Sequence, residues 1–234
     1  MLFSSITDKR QRHAWIALFL VAVLVRLALI LACDPGLRND SDGHLGPNFV
    51  PLSYRTLALG LFNGDLSTDV GARSPGYPLL MAASFRLFGV DNFEAIVWLQ
   101  FFLGLGIFFA SYRLWTQLCG IGWAALLATA VTTLEPALVL AEDQILSETL
   151  TVFLLVSSLA LLVHVVRCER PSVGAAVLAG MCVAWLALTR PAFQLIIPLY
   201  ALYFLIAWRK QWKEGGVIVA IMSFLMVSLL PVIG

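Results

Sequence analysis

Arg73-Ser74-Pro75-Gly76-Tyr77-Pro78-Leu79-Leu80-Met81-Ala82-Ala83-Ser84-Phe85-Arg86-Leu87-Phe88-Gly89 is the stretch on which the reading of this chain turns. Its apolar part, Gly76 to Phe88, falls short of the roughly 20 residues a helix needs to cross a bilayer, so it reads as a helix lying in, or dipping into, the outer leaflet. If it crossed instead, every later loop would change sides. Ser74 suits the N-cap, Pro75 the first helical position and Gly89 the stop. Such a helix turns its first amides and its positive dipole end toward Arg73, which makes Arg73 to Tyr77 a place for an anion.

Working outward, the stretch belongs to a polar interval, residues 34–94, holding six Asp and four Arg in a chain that is 60% hydrophobic and only 12% charged. An average soluble domain carries roughly 25% charged residues, so the chain reads as an integral membrane protein with its chemistry gathered in that interval. Within it, Pro51 to Phe62 sets Leu52, Leu57, Leu59 and Phe62 around Arg55 and Thr56, the pattern of an amphipathic helix on the membrane surface. Asn63-Gly64-Asp65 ends it. No basic patch is interleaved with aromatics, which argues against a nucleic-acid partner. Cys33, Cys119, Cys168 and Cys182 have no metal-ligand spacing and read as small packing residues. His44 reads as a loop histidine. The outer-loop acids could hold a divalent cation, but their spacing is unspecific, so neither a metal nor another cofactor is indicated.

Before the interval, Ala14 to Ala32 is a first span, preceded by Lys9, Arg10 and Arg12, which place the N-terminus in the cytoplasm. Ile30-Leu31-Ala32-Cys33 resembles a lipoprotein cleavage site, but Arg26 interrupts the run and the chain keeps re-entering the membrane, so a retained helix is expected. Arg26 lies about 10 Å from the outer end, at 1.5 Å per residue, and is expected to snorkel outward. After the interval, Asp91-Asn92-Phe93-Glu94 resembles a cap for a span from Ala95 to Trp115, on which Gly104 and Gly106 allow close packing. The next span, Ile121 to Leu140, carries Glu135-Pro136 near its outer end and leads into a short acidic outer loop, Glu142-Asp143-Gln144. Further spans run from Leu146 to Val166, with Ser147 as N-cap, from Ser172 to Arg190, from Pro191 to Trp208 and from Val217 to Ile233. Pro191 should end the preceding helix at about Arg190. The fold expected is all-α: about seven transmembrane helices plus two short juxtamembrane helices, in one domain over residues 1–234.

Cations 9, 10, 12, 113, 167, 170, 209, 210 and 213 then fall inside and 38, 55, 73, 86 and 190 outside, obeying the positive-inside rule. Of the fourteen acids only Asp8, Glu169 and Glu214 are inside. Acids barely influence topology, so their gathering on the outer face needs another explanation, and a polar reaction site there is one.

Taken in order, one span, an acidic outer loop, Tyr54-Arg55-Thr56-Leu57-Ala58, the Arg73 to Leu80 run closing in Leu87-Phe88-Gly89, then Ile145-Leu146-Ser147-Glu148-Thr149-Leu150 and Ala187-Leu188-Thr189-Arg190-Pro191 resemble the GT-C glycosyltransferases. The nearest branch is that of the bacterial relatives of protein O-mannosyltransferases and of the aminoarabinose-to-lipid-A transferase. The resemblance implies a bacterial inner-membrane enzyme that takes a sugar from a polyprenyl-phosphate carrier and passes it, with inversion, to a glycan, lipid or protein acceptor on the extracytoplasmic face. It implies a base soon after the first helix, Asp42 first and Asp40 second, a second acidic position at Glu148, and phosphate-facing cations at Arg73 and Arg190. It also implies a sugar pocket with Tyr77 and the surface-helix Tyr54. From the residues alone, Glu148 equally suits a first-turn helix acid and Tyr77 an interfacial aromatic.

Family members are roughly twice as long, so the resemblance covers their N-terminal part, and a partner subunit could supply further helices. A second reading is a non-catalytic subunit or shortened relative that binds the polyprenyl-phosphate lipid. A transporter or flippase is the third. It fits least, because the polar residues gather at the rim and the helix centres stay apolar.

Overall fold

The computed structural model describes residues 8–32, 50–64, 74–120, 122–167, 172–208 and 215–233. Ten α-helices and one 3-10 turn occupy these residues, with no strand among them: α1 (Lys9–Ala32), α2 (Val50–Asn63), α3 (Gly76–Phe88), α4 (Phe93–Cys119), α5 (Trp123–Thr133), α6 (Pro136–Ala141), α7 (Glu148–Arg167), α8 (Val173–Thr189), the turn Pro191–Leu195, α9 (Ile196–Ala207) and α10 (Gly215–Ile233). The chain is all-α, as its composition implies.

Three helices, α1, α4 and α7, are long and apolar enough to cross a membrane; Trp123–Thr133, Val173–Thr189, Pro191–Ala207 and Ile218–Leu229 are shorter apolar segments. Large aliphatic side chains stand exposed along these helices, among them Leu24, Leu127, Val131, Leu199 and Met226. Apolar exposure spread over so many helix faces gives the chain the character of a membrane protein.

The long helices define two ends. Trp15, early in α1, packs with Phe108 and Tyr112 late in α4, whereas Ile30, late in α1, packs with Val97 and Phe101 early in α4. These helices therefore run antiparallel. Helix α4 runs alongside α7 in the same sense: Gly106 lies against Phe153, and Leu114 packs with Val156 and Ala160. α8 then packs against both α7 and α10. At the end where α4 and α7 begin, α2 and α3 pack together, joined by the Tyr54–Tyr77 ring contact and by Arg86 lying 5.4 Å over the Phe62 ring.

Several local readings hold. Asn92 caps α4, its Oδ1 accepting from Ala95 N at 3.0 Å. α8 ends at Arg190, which is extended (φ −142°) ahead of Pro191. Gly106 gives the close approach expected of it, since a Cβ there would fall 2.6 Å from the Phe153 ring.

Others need correction. The segment read as one helix over Ile121 to Leu140 is two, α5 and α6, broken at Leu134 and Glu135. Pro136 has no amide to donate and drives Glu135 out of the helical region (ψ 120°), and the Glu135 carboxylate instead caps Leu138 N at 2.7 Å. Helix α3 begins at Gly76 with Pro75 at the cap position, and no side chain caps it, so Ser74 does not fill that role. Helix α3 is packed into the bundle, with Gly76, Tyr77, Pro78, Leu80, Met81, Ala82, Ser84 and Phe85 all buried. The turn 142–144 is not a solvated acidic loop, because Glu142 and Asp143 are 4% and 8% exposed.

Candidate functional site

Helix α3 is held against α8 by its first residue. The backbone of Thr189 would lie 2.5 Å from a Cβ at Gly76, and Trp185 Nε1 donates to the Gly76 carbonyl at 2.9 Å. Only glycine admits this approach. It brings Tyr77, the next residue, to full burial between α2 and α4. There the Tyr77 hydroxyl donates to Gln100 Oε1 at 2.9 Å, and the Gln100 amide donates onward to the carbonyls of Glu142 (2.9 Å) and Gln144 (2.7 Å). Burial first, then the neighbouring Tyr54 and Glu148, hold the Tyr77 phenol well above its ordinary range, so it remains a protonated donor.

The Tyr54 ring meets the Tyr77 ring edge-on with centroids 5.1 Å apart, and the Tyr54 hydroxyl reaches Ser147 Oγ at 3.4 Å. Ser147 leads into α7: its carbonyl accepts from both Thr151 N (2.9 Å) and Thr151 Oγ1 (2.7 Å). Glu148 follows in the first turn, where the helix dipole favours an anion. Its Oε1 accepts from Arg190 Nη2, and the two side chains are 42% and 44% exposed. The other oxygen, Oε2, is buried and has no hydrogen-bond partner among the described residues. A half-exposed ion pair thus stands beside two tyrosines in edge contact, with one carboxylate oxygen turned inward.

The polar chain continues below the pair. Arg26 of α1 is 2% exposed and does not snorkel. Its guanidinium binds both Glu142 oxygens, at 2.6 and 2.8 Å, and donates to the carbonyls of Thr133 (2.9 Å) and Ala22 (3.2 Å). The carbonyl of Thr133 is near at hand because α5 stops there, so the Pro136 break supplies an acceptor that an unbroken helix would have kept for itself. Burial lifts the Glu142 carboxyl above the usual carboxylate range, against the opposing pull of Arg26. The void beside the pair measures about 10 Å³, barely one water, so protein groups carry the pairing. Gly104 makes room for it: a Cβ on that residue would collide with the Glu142 carboxylate.

Four of the residues singled out by sequence, Tyr54, Tyr77, Glu148 and Arg190, therefore come together, on α2, α3, the start of α7 and the end of α8. Asp40, Asp42, His44 and Arg73 lie outside the described residues. Arg55, on the same helix as Tyr54, pairs with Asp91 through bonds of 2.8 and 2.6 Å, which ties α2 to the turn between α3 and α4. Sequence reading missed Gln100, Trp185 and the Arg26–Glu142 pair. A signal for Gln100 was present, since it is the only amide or charged side chain between Glu94 and Arg113. Among the described residues no three His, Cys, Asp or Glu side chains gather as a metal site.

No family model matches the chain, and no curated protein is significantly similar to it.

Proposed function

We propose that the chain is a membrane glycosyltransferase of the GT-C kind, moving a sugar from a polyprenyl-phosphate carrier to an acceptor hydroxyl on the extracytoplasmic face, in a bacterial inner membrane. One observation carries the reading: Glu148 and Arg190, 42 residues apart in sequence, meet as a half-exposed pair beside Tyr54 and Tyr77. Three helices are long and apolar enough to cross a membrane; this reading takes the four shorter apolar segments as its remaining spans, and puts the N-terminus in the cytoplasm and the site at the opposite face.

The acceptor oxygen bonds to the anomeric carbon as the bond from that carbon to the phosphate oxygen breaks. The electron pair leaves with the polyprenyl phosphate, and the acceptor proton passes to a carboxylate, Asp42 in first place and Asp40 in second. Arg190 and Arg73 hold the departing phosphate. An exposed pair contributes only about 0–1 kcal/mol, so Arg190 can exchange Glu148 for a phosphate at little cost. The freed Glu148 carboxylate then faces the sugar, and the buried Tyr54–Tyr77 pair backs the pocket from behind. Positioning and electrostatics do the work.

The alternative is a subunit that binds the polyprenyl phosphate without catalysis. It is favoured by the same pair, because a Glu148 already engaged by Arg190 is poorly placed to act as a base. Membranes from a strain lacking the protein, supplied with a labelled polyprenyl-phosphate sugar, separate the two readings. Transfer by wild type and its loss in Asp42→Asn identify the enzyme and its base. Transfer by both moves the base to Asp40 or Glu148. No transfer by wild type, with lipid binding weakened by Arg190→Ala, means a binding subunit and overturns the proposal.

A further inference from the structure

The end of the bundle away from Glu148 holds a second polar feature that the proposed reaction does not use. Arg113 is 13 residues beyond Gln100 on α4, and His164 is 16 beyond Glu148 on α7, which puts each about 20–24 Å down its helix at 1.5 Å per residue. There α4, α7 and α8 part around a cavity of about 450 Å³, lined by Arg113, His164, Ser157 and Leu178 with alanines between them. The volume lies within the range of small-molecule sites, about 300–1,000 Å³.

The lining follows helical spacing. Residues 157, 160, 161 and 164 of α7, 110 and 113 of α4, and 175 and 178 of α8 each present one face inward. The small side chains at 110, 160 and 175 leave volume between the three helices unfilled. Arg113 is exposed and has no carboxylate partner among the described residues. Beside it stands His164, so a cation, an imidazole and the Ser157 hydroxyl share a pocket whose remaining wall is alkyl. Leu178, 53% exposed, continues that wall onto the apolar exterior of the bundle.

We propose that this groove binds one anionic phospholipid, its phosphate against Arg113 and His164 and the first methylenes of its chains along Ala110, Ala160 and Leu178. A cation at one end and an alkyl wall opening sideways match a lipid, which carries its charge and its chain in that order. A soluble anion would leave the apolar wall uncovered. Basic pockets between membrane helices select phosphate headgroups in this way.

The full chain, reconstituted in nanodiscs of equal phosphatidylcholine and phosphatidylglycerol, would be released into native mass spectrometry and its retained lipid counted. Wild type should keep one phosphatidylglycerol. Arg113→Gln should lower its retention about fivefold, the factor for one cation near a membrane surface, while Arg10→Gln, a cation outside the groove, leaves it unchanged. Leu178→Trp, a change at an exposed position that fills the groove without altering charge, should lower it as well. Equal loss in Arg113→Gln and Arg10→Gln would reduce the effect to general surface charge and overturn the proposal. So would equal retention of both lipids, retention untouched by Leu178→Trp, or displacement of the lipid by millimolar inorganic phosphate, which would mean a soluble-anion site.

Discussion

Arg26 and Glu142 meet with side chains 2% and 5% exposed, whereas Arg190 and Glu148, paired at the same end of the bundle, are 44% and 42% exposed. The chemistry is the same in both. In the first pair both carboxylate oxygens are engaged, and the guanidinium has two further carbonyls. In the second, one carboxylate oxygen is engaged and the other has no partner among the described residues. A buried, saturated pair cannot open without stranding charge in an apolar interior. The exposed pair can open toward water or a ligand. The first pair holds α1 against the α5–α7 turns, and the exposure of the second is what the proposed function draws on.

The sharpest way to break this contrast is to remove one member of the buried pair. Arg26→Met leaves Glu142 buried without its cation and should cost about 3–5 kcal/mol, measured as unfolding of the purified protein in detergent. Replacing both, Arg26→Met with Glu142→Met, should recover much of that loss. If the double variant is no more stable than the single, the pair contributes through something other than its stranded charge. Glu148→Gln should do the reverse, leaving the unfolding midpoint nearly unchanged while lowering sugar transfer about a hundredfold, equivalent to ~2.7 kcal/mol of barrier. Equal losses of stability and transfer would erase the distinction. The smallest effect belongs to Arg55→Gln, which removes a pair 37% and 36% exposed. Exposed pairs contribute about 0–1 kcal/mol, so its unfolding midpoint should shift little, and a loss near that of Arg26→Met would show that exposure is a poor guide in this bundle.

Much of this architecture was legible because it is written locally. Apolar run lengths gave the long helices, Pro191 gave the end of α8, Asn92 gave a cap and Gly106 gave a close approach. Glu148 and Arg190 could be put at one rim by counting spans. What was not legible was who meets whom. Arg26 and Glu142 are 116 residues apart, and helical periodicity carries no information on such a partner, so an arginine in a span was read by its distance to the water. The Pro136 break was available from residue type but was outweighed by the continuous apolarity of Ile121 to Leu140. The site itself is read only in part, since Asp40, Asp42 and Arg73 lie outside the described residues.

Gly104 lacks the one carbon that would fill the socket now taken by the Glu142 carboxylate. Because Glu142 is six residues ahead of Glu148, that socket also fixes the height at which the chain turns into α7. A methyl group added to α4 would act as a shim: it would lift the turn, drag Ser147 and Glu148 with it, and misalign a rim that it never touches. Tolerance at the rim is thus set by an atom that is missing several residues below it.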